Sequence, residues 1–199
     1  MTEIGRVLRA STEGFTCGTR SQELNYPAFG TFVYTAHSNG ASDLAVIGVI
    51  TAIRIDDDPL VRQLIMASNM NAAALRDQRE NRMIPVEIDV LSIGYIQNNH
   101  PIYRLPPRPP LSLDPVSLCD KESIVYFTEG LDFIRLILNA KGVATIDLLG
   151  AAIREAAGAR PQEKQRDFLV SAGRRLAGLL SHDLTMLQQV LKMIRPVTA

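Results

Sequence analysis

Three histidines, two cysteines and a run of three aspartates are the side chains of this 199-residue chain with the clearest potential for chemistry. His37 lies in TAHSNGASD beside Ser38, Asn39 and Gly40, a composition suited to a hairpin turn. His100 precedes Pro101, again in a turn-like setting, and His182 stands in SHDL, where it caps a helix or faces solvent. The three show no metal-ligand spacing, and Cys17 and Cys119 form no C-x-x-C. Asp56, Asp57 and Asp58 could hold a hard cation or a basic partner. They also stand directly before Pro59 and an apolar stretch, where carboxylates favour a helix N-terminus, and capping is the reading adopted. Ser11, Thr16 and Ser21 lack a base at a telling spacing, and neither S-x-x-K nor G-x-S-x-G occurs. No catalytic, cofactor-binding or metal-binding residue is assigned.

Basic and apolar side chains near the C-terminus offer binding rather than catalysis. From Arg160 onward there are seven basic residues against three acidic ones. Arg166, Arg174 and Arg175 are the candidates for a nucleic-acid or partner contact. A single aromatic residue, Phe168, falls among them, too few for a single-strand stacking platform. Leu180, Leu184, Leu187 and Leu191 are the candidates for a partner surface. The whole chain carries 21 basic and 21 acidic side chains, so a bulk basic field for nucleic acid is absent.

The elements that must position these residues change period along the chain. IGRVLRAS, GTFVYTA, LAVIGVITAIRI, IPVEIDVLSIGYI and SIVYF read as strands. In the fourth, Val86, Ile88 and Val90 alternate with Glu87 and Asp89, the period of a half-buried strand. Glycines punctuate these runs, as suits the bends of a small closed barrel. Pro59 to Arg82 has helix-forming composition and reads as a helical excursion from the barrel. Beyond residue 128 the apolar residues recur at three and four. Phe133, Ile134, Ile137 and Leu138 form one face; Ile146, Leu149 and Ile153 form another. A long segment from Pro161 to Pro196 follows, with a break and a new cap expected at Ser181.

The fold class expected is therefore α+β: a small N-terminal β-barrel over 1–128 with a helical insertion at about 59–82, then a C-terminal helical region over 129–199. Between the two periods lies YRLPPRPPLSLDPVSLC. Its paired prolines lack ladder donors, so they suit a rigid exit over the barrel rim better than a central strand. Arg104 and Arg108 should be exposed there, with Leu105 and Leu111 anchoring the ends.

The order of the strand segments resembles the HAS-barrel, the small N-terminal β-barrel shared by HerA-type DNA translocases and rotary ATP synthase subunits. Gly5 and Val7 resemble the start of its first strand. Gly30, Phe32 and Val33 resemble its G-x-x-V element, Gly48 and Val49 the glycine–valine element of the next strand, and Pro107, Pro110 and LSLDPVSLCD its proline-rich exit to a final strand. The resemblance spans residues 3 to 128. In that family a P-loop ATPase domain follows the barrel. Here no G-x-x-x-x-G-K-[ST] occurs, and NAKGVAT has Lys141 and Gly142 without the approach loop. What the resemblance implies is the barrel's other role, bringing subunits together or docking a partner.

The function expected is a noncatalytic assembly or adaptor protein that docks a protein partner or forms a homo-oligomer. The alternatives are an accessory of DNA processing with weak DNA contact, and an enzyme of unidentified type. No run approaches the roughly 18 apolar residues of a membrane span. MTEIGRVLRAS lacks the apolar run of a signal peptide. With two cysteines making a poor disulfide framework, the expected location is cytoplasmic, with no membrane partner.

Overall fold

A computed structural model describes residues 2–21, 27–38, 43–55 and 84–195. The helical excursion expected from Pro59 to Arg82, the aspartates at 56–58 and the turn after Ser38 lie outside the described residues.

Six strands close into an antiparallel barrel. They are β1 (Glu3–Ala10), β2 (Gly14–Ser21), β3 (Phe32–Ser38), β4 (Asp43–Ile55), β5 (Ile84–Gln97) and, after a gap in sequence, β7 (Pro115–Leu118). The ring runs β1, β2, β5, β4, β3, β7 and back to β1. Closure satisfies the backbone groups that an open sheet leaves at its edges. A short strand, β6 (His100–Ile102), folds back on β5. Asn98 and Asn99, at φ 50° and 58°, form the two-residue turn between them, the twist-compatible geometry that asparagine tolerates.

Alternation explains which side chains fill the barrel. Val7, Cys17, Val33, Val46, Ile50, Ile88 and Val116 point inward and form its core. On the outside the sheet has two fates. Phe32, Ile47, Val49 and Ile93 are buried beneath the helices, so β4 is covered on both faces where LAVIGVI reads as an unbroken apolar run. The first half of β5 faces solvent instead. There Glu87 pairs with Arg9 at 2.9 Å, and Asp89 accepts from Arg54 and, at 2.8 Å, from Thr16. Arg9 beside it holds the Glu87 carboxyl below its ordinary range.

Five helices follow among the described residues: α1 (Lys121–Phe127), α2 (Phe133–Leu138), α3 (Thr145–Gly158), α4 (Gln162–Leu179) and α5 (Leu184–Ile194). SIVYF, expected as a strand, is most of α1. The Asp120 carboxylate accepts from the Ser123 backbone N–H at 2.8 Å, capping the first turn. Ile124 and Phe127, three apart, then reach the core together, which a strand's alternation could not arrange. The strand that closes the barrel is the preceding Pro115–Leu118.

The cap expected at Ser181 falls two residues later. Asp183 accepts from the Met186 N–H and starts α5. On α4, Phe168, Ala172 and Leu176 recur every four residues and are buried. Arg160 ties the helices together. Its guanidinium donates to Thr128 Oγ1 at 3.0 Å and lies 3.7 Å from the centre of the Phe168 ring.

Between β6 and β7 the proline segment crosses without secondary structure. Arg104 and Arg108 are exposed, as expected. The anchors differ: Leu105 and Leu111 are 43% and 51% exposed, while Pro106 and Pro110 are buried. The proline rings themselves hold the segment down. Its end is a tight turn in which the Asp114 N–H donates to the Leu111 carbonyl and Leu113 adopts φ 72°. A leucine in that conformation costs about 1–2 kcal/mol, held here by a bond from its own N–H to Val7 and one from Arg6 to its carbonyl.

Candidate docking groove and barrel-side cleft

The nucleophile candidates are quiet. Cys17 is inside the barrel, where burial first and Glu3 second push its thiol up to about 12. Cys119 packs against the helix-side core, and burial followed by Asp120 likewise raises its thiol to about 12. A thiol at that value holds almost no thiolate at neutral pH, so it neither attacks nor binds metal readily. The expected result is that neither cysteine reacts with Ellman's reagent at pH 8 in the native protein, and both react in denaturant. Rapid native labelling would contradict this burial.

His100 and His182 are exposed and far apart in the chain, and His37 lies in β3 opposite Leu44. No group of three or more His, Cys, Asp or Glu side chains fit to hold a metal occurs among the described residues. No described helix is long and apolar enough to cross a membrane.

The three arginines singled out by charge do not share a face. On α4, Arg174 lies about 80° around the axis from Arg166, and Arg175 about 180°. Arg175 is paired with Asp132, ahead of α2. Arg166 instead lines a groove on the far side. The leucines separate as well. Leu180 is 8% exposed and belongs to the core of its own chain, so it is not a partner surface. Leu187 and Leu191 are half-buried against that core, and Leu184 is 64% exposed. The C-terminal helices therefore cover their own barrel, through Phe32, Ile47, Val49 and Ile93.

Two concavities stand out among the described residues. The first is a groove of about 730 Å³ between α3, α4 and α5. Ala157, Leu169, Val170, Leu191 and Ile194 supply its apolar lining, and Gly158 and Gly173 keep the helix surfaces low. Arg154, Arg166 and Arg195 are its charged residues, and no acidic side chain lines it. Arg154 is steadied by a bond to the Met193 carbonyl at 3.2 Å. Of the residues chosen from sequence, Arg166 and Leu191 meet here. Arg154 lies within α3 and Arg195 at the end of α5, and no local spacing in the sequence joins either of them to Arg166. Their common location is a product of how three helices pack.

The second is a cleft of about 560 Å³ between the barrel wall and α2. It is bounded by Glu13 at the β1–β2 turn, Thr51 and Leu91 on the wall, Arg104 and Leu105 at the start of the proline segment, and Arg135, Asn139 and Lys141 from the helical side. In the sequence Lys141 stands out only as part of a failed nucleotide-loop match, and Arg104 only as an exposed connector residue.

No family model matches this chain, and no curated protein matches it.

Proposed function

We propose that this chain is a noncatalytic docking protein whose groove between α3, α4 and α5 receives the apolar face of an acidic amphipathic helix from a protein partner. The observation that carries this reading is the groove's composition: an apolar floor with three arginines and no carboxylate among its lining residues. An amphipathic helix laid in an apolar groove is a recurrent mode of peptide recognition. Arginine at such a site favours carboxylates, which it can bind through two parallel hydrogen bonds. Val170, 46% exposed on the groove wall, gives such a partner an apolar contact that solvent now covers.

The closed six-stranded barrel supports a HAS-type reading of residues 3–128, in which the barrel contributes to assembly and the helices select the partner. Two unpaired cysteines fit a cytoplasmic setting for it. Arg166, Arg174 and Arg175 point in different directions around α4, which favours the docking reading over the DNA-accessory alternative.

A labelled helical peptide with leucines at i, i+3, i+4 and i+7 and glutamates elsewhere tests the proposal by fluorescence anisotropy. Binding in the micromolar range is expected, weaker by about tenfold or more when lysines replace the glutamates. Val170→Asp and Arg166→Glu, both at exposed positions, should weaken it without altering the circular dichroism spectrum. Absence of binding at about 100 μM peptide would reject the docking site. A mass that rises with concentration, and falls to monomer in Val170→Asp, would instead assign the groove to a second copy of this chain. A DNA gel shift that is lost in Arg166→Glu would overturn the protein-docking reading and assign the groove to nucleic acid.

A further inference from the structure

We infer that the cleft between the barrel wall and α2 binds a small organic phosphate with an apolar body, a ligand separate from any partner in the helical groove. Three cations from three separate segments line this one cleft: Arg104 from the proline segment, Arg135 from α2 and Lys141 from the loop after it. Glu13 is the single acid among the lining residues. In a chain with no net charge, this is a local excess that a multiply charged anion would neutralise best.

The cations are of the types that suit phosphate. Two guanidinium groups offer paired donors, and an ammonium adds a mobile point charge. Arg135 is already oriented, since its guanidinium donates to the Tyr103 carbonyl at 3.1 Å. Arg104 follows Tyr103 directly, so this carbonyl links the positions of the two arginines. Lys141 is followed by Gly142 at φ 73°, a turn that brings the loop back after α2.

Beside these charges stand Leu105, Leu136 and Val143, and Leu105 is 43% exposed at the cleft. An exposed leucine beside three cations suits a ligand with both an anionic head and an apolar body. The volume, about 560 Å³, lies within the range of small-molecule sites. No aromatic side chain lines the cleft, which disfavours a strand of nucleic acid held by stacking.

Phenyl phosphate and inorganic pyrophosphate are the probes, titrated into the full chain and followed by amide chemical shifts. Phenyl phosphate should produce saturable shifts at Thr51, Leu91, Asn139 and Lys141. Arg104→Ala and Lys141→Ala, both at exposed positions, should each weaken it about tenfold. Leu105→Ser should weaken phenyl phosphate while leaving pyrophosphate unchanged, and Glu13→Gln should tighten both. Shifts absent at about 10 mM probe would overturn the inference. So would shifts that survive in the Arg104→Ala, Lys141→Ala double variant, or that map to Arg154 and Arg166. The acidic peptide should bind that double variant as it binds the unaltered chain, so the cleft and the groove stand or fall separately.

Discussion

Phe133→Ala should lower the unfolding free energy by about 3–5 kcal/mol, the range for deleting a fully buried aromatic ring. Phe133 is 0% exposed and opens α2, where its ring meets the edge of Phe32 on β3 at a centroid distance of 6.1 Å. Phe32 is likewise 0% exposed and points out of the barrel into the helix-side core. The substitution therefore opens a cavity at the contact that holds the helices to the sheet. Part of the loss is the edge-to-face pair itself, about 0.5–1.5 kcal/mol beyond the buried area. Urea melts read by near-ultraviolet circular dichroism and by helix signal check the value. Phe133→Leu, which keeps most of the volume, should recover much of the stability. An unchanged midpoint in Phe133→Ala would show that the helices do not lean on the barrel through this ring.

Gly30→Val should cost about 2–5 kcal/mol, from two sources that can be separated. Gly30 stands at φ 83°, where an L side chain is strained by about 1–2 kcal/mol. A Cβ placed there would also lie 2.4 Å from the Cβ of Ala151 on α3, so the helix must move. Gly142, at φ 73° with nothing within 4 Å of where a Cβ would stand, supplies the control. Gly142→Val should lose only the strain. In a double-mutant cycle, Ala151→Gly should restore part of what Gly30→Ala removes, because it vacates the contact. Equal losses at Gly30 and Gly142 in thermal melts would mean that α3 does not rest against this turn.

Both predictions concern positions that the linear chain announces only in part. Gly30 and Phe32 stand out in YPAFGTFVYTA as a glycine before an apolar strand. Nothing in that stretch says that Val33 fills the barrel while Phe32 meets α2. The same holds for LAVIGVITAIRI, whose strand character is plain from its β-branched residues. That its outer face is covered by helices follows only once residues about a hundred positions away are packed on it. β2 is harder to see. GFTCGTRS has little alternation and two glycines, and it becomes a strand by pairing with both β1 and β5.

SIVYF shows where local preference yields. Its β-branched and aromatic residues favour a strand, yet Asp120 caps it as a helix and a four-residue strand before it completes the barrel. The signal is the aspartate three positions ahead of Ser123, and by composition it carries less weight than the residues of the strand-like run. In the helical third, periods of three and four locate α3, α4 and α5, because amphipathic burial is a local pattern with a tertiary cause. The break near Ser181 is legible too; the choice of Asp183 as its cap depends on which side chain meets the free N–H groups.

The candidate sites divide in the same way. Sequence alone determined that the chain has strands followed by helices, that its charges balance, and that familiar nucleophile and nucleotide-loop motifs are absent from it. These follow from composition and short-range spacing, which survive without a fold. It also marked Arg166 and Leu191, since charge excess and helical period are local properties. Only the tertiary structure decided that Arg175 pairs with Asp132, that Leu180 belongs to its own core, and that Arg154 and Arg195 join Arg166 around one groove. It alone placed Arg104, Arg135 and Lys141 around one cleft. The physical reason is that a site is a set of directions and distances between side chains. Those are set by barrel closure and by the angles at which helices cross, and both depend on contacts between residues far apart in the chain.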